Sequence, residues 1–350
     1  MMTKSAQTSK TASTNARLAK PSKPILSLLI GAILLCICAW MSLAIGQDML
    51  SPKTVLNAFI AYDPNNIQHI LVQTTRLSRT LMAMVIGAAL AVAGALMQAI
   101  TRNPLASPSL MGINAGAIFS IVLLTTFISV SRIEHFMYMA MLGAAVAGTL
   151  VYFLGTAKNG QLNTLKFILA GAAITALFSA FTQAMLVIDQ ESLDSILFWL
   201  AGSIANRQLD SVLPLFPVIG ISLLLSLALA APIQILMAGE DIAKGLGQRT
   251  VRLQIGMGIL VIILAGAAVA MAGSIAFVGL IVPHMVRILV SQHYQWLLPG
   301  CIIYGALLLV VADLVSRMII FPQEIPIGVM TALIGGPLFI YLIRQGMRHG

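Results

Sequence analysis

Charge is what this chain has least of. Only 9% of its 350 residues are charged, 11 acids against 20 Lys and Arg, where a water-soluble domain carries about 25%. That deficit excludes an ordinary soluble globule and places the chain in a bilayer. Cysteine is equally sparse. Cys36, Cys38 and Cys301 all fall inside apolar runs, which argues against a disulfide framework and for buried free thiols. The five histidines are scattered at positions 69, 135, 284, 293 and 349, and no two carboxylates share a helix face. Neither metal-assisted nor acid–base catalysis has an evident constellation, so no catalytic residue, metal site or cofactor is expected. No G-x-x-x-x-G-K-[ST] phosphate loop occurs, which excludes ATP hydrolysis by that route. The net charge of +9 does not call for nucleic acid. On a polytopic protein, basic residues mostly record orientation.

What the chain has is long apolar runs, 59% of it being hydrophobic. About 20 apolar residues cross the ~30 Å hydrocarbon core. Here the runs are continuous rather than alternating, so the spans are helices and not barrel strands. The sequence predicts an all-α polytopic membrane protein of ten transmembrane helices, near 25–46, 81–101, 109–128, 135–156, 163–187, 212–237, 253–272, 275–291, 297–316 and 326–344. Residues 1–24 hold five Lys and Arg and no acid and read as a disordered cytoplasmic tail, not a cleavable signal. A single membrane domain, 25–344, follows, and then a short cytoplasmic tail, 345–350. Between the first two spans a surface helix is expected at 51–61. Between the fifth and sixth, 188–211 reads as a re-entrant or surface segment.

Orientation follows from counting. With the N-terminus inside, Lys4, Lys10, Arg17, Lys20, Lys23, Arg102, Lys158, Lys166, Lys244, Arg249, Arg252, Arg287, Arg344 and Arg348 are cytoplasmic. Lys53, Arg76, Arg79, Arg132, Arg207 and Arg317 lie outside. Fourteen against six favours both termini in the cytoplasm. The outer arginines are then exceptions. They are either interface anchors that snorkel to the headgroups or a basic patch for an acidic partner.

The second span is built on small residues, and its run Gly87-Ala88-Ala89-x-Ala91-x-Ala93-Gly94 recurs as Gly266-Ala267-Ala268-x-Ala270-x-Ala272-Gly273. Pro104 recurs as Pro283 at the same offset. Copies five spans apart run in opposite directions, the signature of inverted repeats, here 25–187 and 212–344. Small residues at such spacings let helix backbones approach closely, and Gly112-x-x-x-Gly116 does the same.

Other segments carry more chemistry. Residues 238–252 hold Glu240, Asp241, Lys244, Arg249 and Arg252 beside Ile242, Ala243, Leu246 and Val251. This is either a solvated connector or a short amphipathic helix that docks a cytoplasmic protein. Pro283 should kink the eighth helix, leaving neighbours to satisfy the freed backbone groups. Asp313 precedes Arg317 by four residues. A structural pair is the default, and a deep acid for proton coupling is the alternative. Pro322 and Pro326 around Glu324 make a stiff start to the last span.

Five motifs together resemble one family. They are Arg76-Leu-x-Arg79, Asn103-Pro104-Leu-Ala-x-Pro108-x-Leu-x-Gly112, Gly273-x-Ile-x-Phe-Val-Gly-Leu-x-x-Pro283-His284-x-x-Arg287, Ala312-Asp313-x-x-x-Arg317 and Pro322-x-Glu324-x-Pro326-x-Gly328. The family is the permease subunits of the iron–siderophore and vitamin B12 (FecCD-type) ABC importers. The resemblance runs from about Ser27 to Arg344. It implies a ten-helix type II importer permease working as a two-permease core, identical or sister, in the bacterial cytoplasmic membrane. It implies that Arg76, Arg79 and Arg317 grip glutamates of a periplasmic or lipid-anchored siderophore-binding protein. Asp241, Ala243, Leu246, Gly247 and Arg252 would dock on cytoplasmic ATPase subunits. Asn103, Pro104, Pro108 and Gly112 would form the inner loop after the second helix, and Pro322, Glu324, Pro326 and Gly328 would open a pathway-lining last helix. One departure is Ser78, where the family often has proline, which is expected to loosen the start of the second helix. The implied activity is ATP-driven inward passage of a ferric siderophore, with haem or cobalamin as alternatives. An ion-coupled secondary carrier remains as the rival class, with Asp313 its one candidate acid.

Overall fold

The structure is a computed structural model that describes residues 22–46, 48–127, 133–156, 163–188, 200–205, 207, 209–320 and 323–346. Its helices are α1 (Ser22–Ala44), α2 (Pro52–Ile60), α3 (Ile67–Ile70), α4 (Leu77–Thr101), α5 (Ile113–Phe127), α6 (Ile133–Gly155) and α7 (Thr164–Ile188). There follow α8 (Leu209–Val212), α9 (Leu215–Ala228), α10 (Ala230–Met237), α11 (Glu240–Gly245), α12 (Thr250–Ala272), α13 (Val278–Leu289), α14 (Tyr294–Met318) and α15 (Ile327–Gly346). The surface helix expected at 51–61 is α2, capped by the Ser51 side chain on the Thr54 amide. The segment 188–211 lies mostly outside the described residues, as do the tail before residue 22 and residues 347–350.

An apolar helix stands at each of the ten positions read from the sequence. Six of these helices are long and apolar enough to span a bilayer: α1, the continuous rod 67–101, α6, α7, α12 and α14. The pair α9 and α10 qualifies together but is bent by 49°. Of the remaining three, α5 and α13 have 15 and 12 residues and are shorter than a full span, whereas α15 runs for 20. Among the described residues, six helices, or seven with the bent pair as one, meet that length and composition. The two short helices have visible causes. A 3₁₀ turn, Pro108–Met111, and a left-handed Gly112 (φ 66°) occupy the start expected for α5. The left-handed Gly112 closes the 3₁₀ turn and so sits outside α5; a Cβ there would meet Ile174 of α7 at 3.2 Å, while Gly116 packs on Gly143 and Ala147 of α6. A break at Gly273–Phe277 likewise delays α13.

The Gly/Ala run of α4 lies at the centre of the fold. A Cβ on Gly87 would fall 2.2 Å from the Gly305 carbonyl oxygen of α14, and one on Gly94 would fall 1.8 Å from the Gly279 carbonyl of α13. Backbones meet there with no side chain between them, as small-residue interfaces allow in lipid. The pairing pattern carries the repeat. Helix α4 packs on α14 and α13, its echo α12 packs on α6 and α5, and α4 and α12 pack on each other. Arg102, at the end of α4, reaches Glu240, just ahead of α12, at 3.8 Å. The two copies therefore run antiparallel, as inverted repeats require. Tight contact is less even: Gly266 meets only Ala144 Cβ, at 3.1 Å.

Pro283 lies inside α13, where its ring cannot donate to the Gly279 carbonyl. Gln98 Nε2 of α4 donates to that carbonyl at 3.5 Å, and Arg287 Nη1 donates to Gln98 Oε1 at 2.6 Å. A neighbouring helix thus takes up the group that the proline frees.

Candidate functional site

The second helix begins earlier than its apolar run. Helix α3 passes into a π-helical segment, Leu71–Arg76, and then into α4 without a break. A proline at 78 would remove a backbone amide from the first turn of α4. Ser78 keeps that amide, and its hydroxyl donates to Thr74 O at 2.5 Å. The start of α4 is therefore continuous rather than loosened. The π turn, a feature that tends to mark functional positions, ends at Arg76, three residues before Arg79.

Arg76, Arg79 and Arg317 come together, but not as an open patch. They are 4%, 9% and 7% exposed. Arg76 Nη1 donates to the carbonyls of Leu43 and Ala44, at 2.9 and 2.7 Å, and Nη2 donates to Asp48 O at 2.5 Å. Its guanidinium therefore staples the end of α1. Arg79 Nε donates to Asp313 Oδ1 at 2.7 Å, and its Nη1 donates to Glu324 Oε2 at 2.5 Å. Arg317 Nη2 donates to the other Asp313 oxygen, and Nη1 donates to Ser42 O at 3.1 Å. Asp313, wholly buried, is thus shared by two guanidiniums. The i,i+4 pair is present, with a third member that sequence spacing does not reveal.

The three arginines line a cavity of about 570 Å³, together with Arg207, Glu324 and Pro326. Burial pulls the Arg207 guanidinium down to about 10, so it stays charged at neutral pH. Two motifs separate in the sequence, the arginines and the start of the last helix, therefore form one site. Ile325 N donates to Ser316 O at 3.3 Å, and Gly328 N donates to Gly202 O at 2.9 Å. A Cβ on Gly328 would lie 2.3 Å from Ala201 O, so only glycine lets the helix start there. Pro322 lies outside the described residues.

The far end of α4 holds the other residues. Arg102 ends the helix in the left-handed region (φ 52°). Asn103 Oδ1 then accepts from the Leu105 amide at 2.9 Å. Pro104 is exposed, while Pro108 is buried. A Cβ on Gly171 of α7 would meet the carbonyl of Leu110 at 1.8 Å, so this loop is wedged against that helix. Next to it, α11 is a helix of six residues, shorter than the amphipathic element expected. Its apolar set divides. Ala243 is buried and Val251 half-buried, whereas Ile242 and Leu246 are 55% and 69% exposed. Asp241, Gly247 (φ 79°) and Arg252 are exposed. Gln248 Nε2 anchors the turn on Pro232 O at 2.8 Å, and Lys244 pairs with Glu240 at 2.9 Å. The Lys244 hydrogen bond, with the charges of Lys244 and Arg102, holds the Glu240 carboxyl below its ordinary range against the opposing effect of burial.

Comparison with known proteins fits this geometry. The FecCD transport family profile matches residues 24–345. The "Probable siderophore transport system permease protein YfiZ" of Bacillus subtilis is 44% identical over 324 residues, covering 93% of this chain and 96% of that one. The ferric enterobactin transport system permease protein FepD of Escherichia coli is 40% identical, covering 91% and 95%. A solved metal-chelate type ABC transporter in an inward-facing conformation superposes with TM-score 0.80 at 33% identity, over 91% of this chain and 98% of that one. The chain belongs to the FecCD transport family, as a multi-pass membrane permease subunit of an ABC importer and not an enzyme.

Proposed function

We propose that this permease passes a ferric siderophore inward across the bacterial cytoplasmic membrane, driven by ATP hydrolysed on separate subunits. The observation that carries this reading is the division of labour between the two ends of α4. One end holds a cavity of committed arginines. The other holds a small helix with exposed Ile242 and Leu246 above a charged rim. The first suits an acidic partner, and the second suits insertion into a groove of another protein. The substrate class follows the relatives, whose names specify siderophore, iron citrate, hydroxamate and enterobactin. A relative from Yersinia pestis is named for hemin, which keeps haem as the second reading.

In this account a loaded binding protein docks over Arg76, Arg79 and Arg317. Asp241, Ala243, Leu246, Gly247 and Arg252 receive the ATPase, with the loop Asn103–Gly112 beside them. The last helix, opened by Pro322, Glu324, Pro326 and Gly328, lines the pathway, and a second permease, identical or sister, completes it. Both termini are cytoplasmic by the basic-residue count, with 1–24 and 345–350 as tails around one membrane domain, 25–344, of two repeats. The iron belongs to the cargo. Asp313 is held by two arginines, which disfavours the shuttling of protons that a secondary carrier needs.

The test is uptake of radiolabelled ferric chelates into proteoliposomes holding the permease, its ATPase and its binding protein. ATP-dependent accumulation of a ferric siderophore, insensitive to collapse of the proton gradient, is expected. Uptake without ATP that collapses with the gradient would overturn the proposal. Accumulation of haem but no siderophore would move it to the second reading.

A further inference from the structure

A buried arginine cannot wait empty for a partner. Removing one member of a buried ion pair leaves an uncompensated charge and is strongly destabilising. Arg79 already carries two carboxylates, so a further carboxylate that docks on it meets their repulsion unless it replaces one of them. The two are not equivalent. Asp313 is fully buried and shared with Arg317. Glu324 keeps a quarter of its side chain exposed, lines the cavity and holds Arg79 through a single contact at 2.5 Å. Glu324 is the exchangeable member.

It is also the member that holds something in place. Glu324 sits on the short strap between α14 and α15, and its side chain ties that strap to α4 across the cavity. Among the described residues the strap is otherwise held by a backbone bond from Ile325 to Ser316 at 3.3 Å, and the first turn of α15 by one from Gly328 to Gly202 at 2.9 Å. Helix α15 beyond it packs chiefly on α14 and α13. The cavity also has donor capacity in reserve: Arg317 Nε is buried and makes no hydrogen bond among the described residues.

We infer that Glu324 is an internal stand-in for a binding protein's carboxylate, and that its displacement from Arg79 by that carboxylate unties the start of the last helix. This rests on the docking reading above. Swapping one carboxylate for another leaves Arg79 paired throughout, so the exchange avoids the cost of a bare buried charge. Linkage then requires reciprocity: whatever frees the strap must favour docking, by the same factor.

Glu324→Gln removes the competitor with little change of shape. In the whole transporter embedded in nanodiscs, it is expected to tighten binding of the ferric-chelate-loaded binding protein on the order of tenfold. ATP hydrolysis in the absence of binding protein should rise several-fold. Unchanged or weaker binding overturns the inference. Should that variant fail to assemble, Glu324→Asp, which keeps the charge but withdraws it by one methylene, is expected to tighten binding a few-fold, and unchanged binding again overturns it. Gln323→Cys, labelled with a thiol reagent with and without binding protein, separates the two ideas. Protection of that thiol with unaltered affinity in Glu324→Gln leaves the docking reading standing without the exchange. No protection removes the docking reading itself.

Discussion

The two ends of α4 use charge in opposite ways. At its start, Arg76, Arg79 and Arg317 are at least nine-tenths buried and bond carboxylates, a hydroxyl and backbone carbonyls. At its end, Arg102 and Lys244 keep nearly half their side chains in solvent, and Arg102 stands 3.8 Å from Glu240. The 25 residues between span ~37 Å at ~1.5 Å each. Buried charges are costly to rearrange and so hold a defined geometry, which suits a site that must recognise a partner and respond to it. Solvated charges contribute little to stability. That leaves exposed Ile242 and Leu246, rather than the rim, as the gripping surface in the docking proposed for the far end.

That contrast is open to mutation, beginning with the largest effect. Asp313→Ala strands two buried guanidiniums and is expected to destabilise the permease by about 3–5 kcal/mol, read as loss of thermal stability in detergent. An unchanged melting profile would mean that these charges are solvated after all. Gln98→Leu sits between the ends, deprives the Gly279 carbonyl and Arg287 of their partner, and should cost about 1–3 kcal/mol in the same assay. Leu246→Asp should leave stability within about 0.5 kcal/mol while ATP hydrolysis and transport lose their coupling. A melting shift as large as that of Asp313→Ala would show Leu246 to be structural. Glu240→Gln is the smallest, at most about 0.5 kcal/mol. Because the Glu240 pKa is lowered in the fold, its contribution is present above the ordinary glutamate value of ~4.3. It fades as the pH falls through the lower folded value, so wild type and variant should converge in acid.

Much of this was legible in the sequence, for a physical reason. Apolar run length and helix direction are one-dimensional properties, so the ten helices and the antiparallel Gly/Ala copies of α4 and α12 could be read from spacing alone. The Asp313–Arg317 pair could be read too, because i,i+4 neighbours meet on any helix. Partners 234 and 245 residues away could not, and the links from Arg79 to Asp313 and Glu324 are of that kind. Nor could the π segment, whose residues look like any helix start. The split of α11 was hidden because helical periodicity fixes which residues share a face, not whether that face is covered. Helix length was overread at α5 and α13, where a 3₁₀ turn and a backbone break take residues from apolar runs.

The central claim, that the arginine cavity is where the binding protein sits, is best tested without touching the arginines. Gln323 lies on the cavity wall and is exposed. In a background with the three native cysteines replaced, Gln323→Cys in the reconstituted transporter can be labelled with a membrane-impermeant thiol reagent. The account predicts that loaded binding protein slows this labelling at least tenfold. Equal rates with and without the binding protein would contradict it.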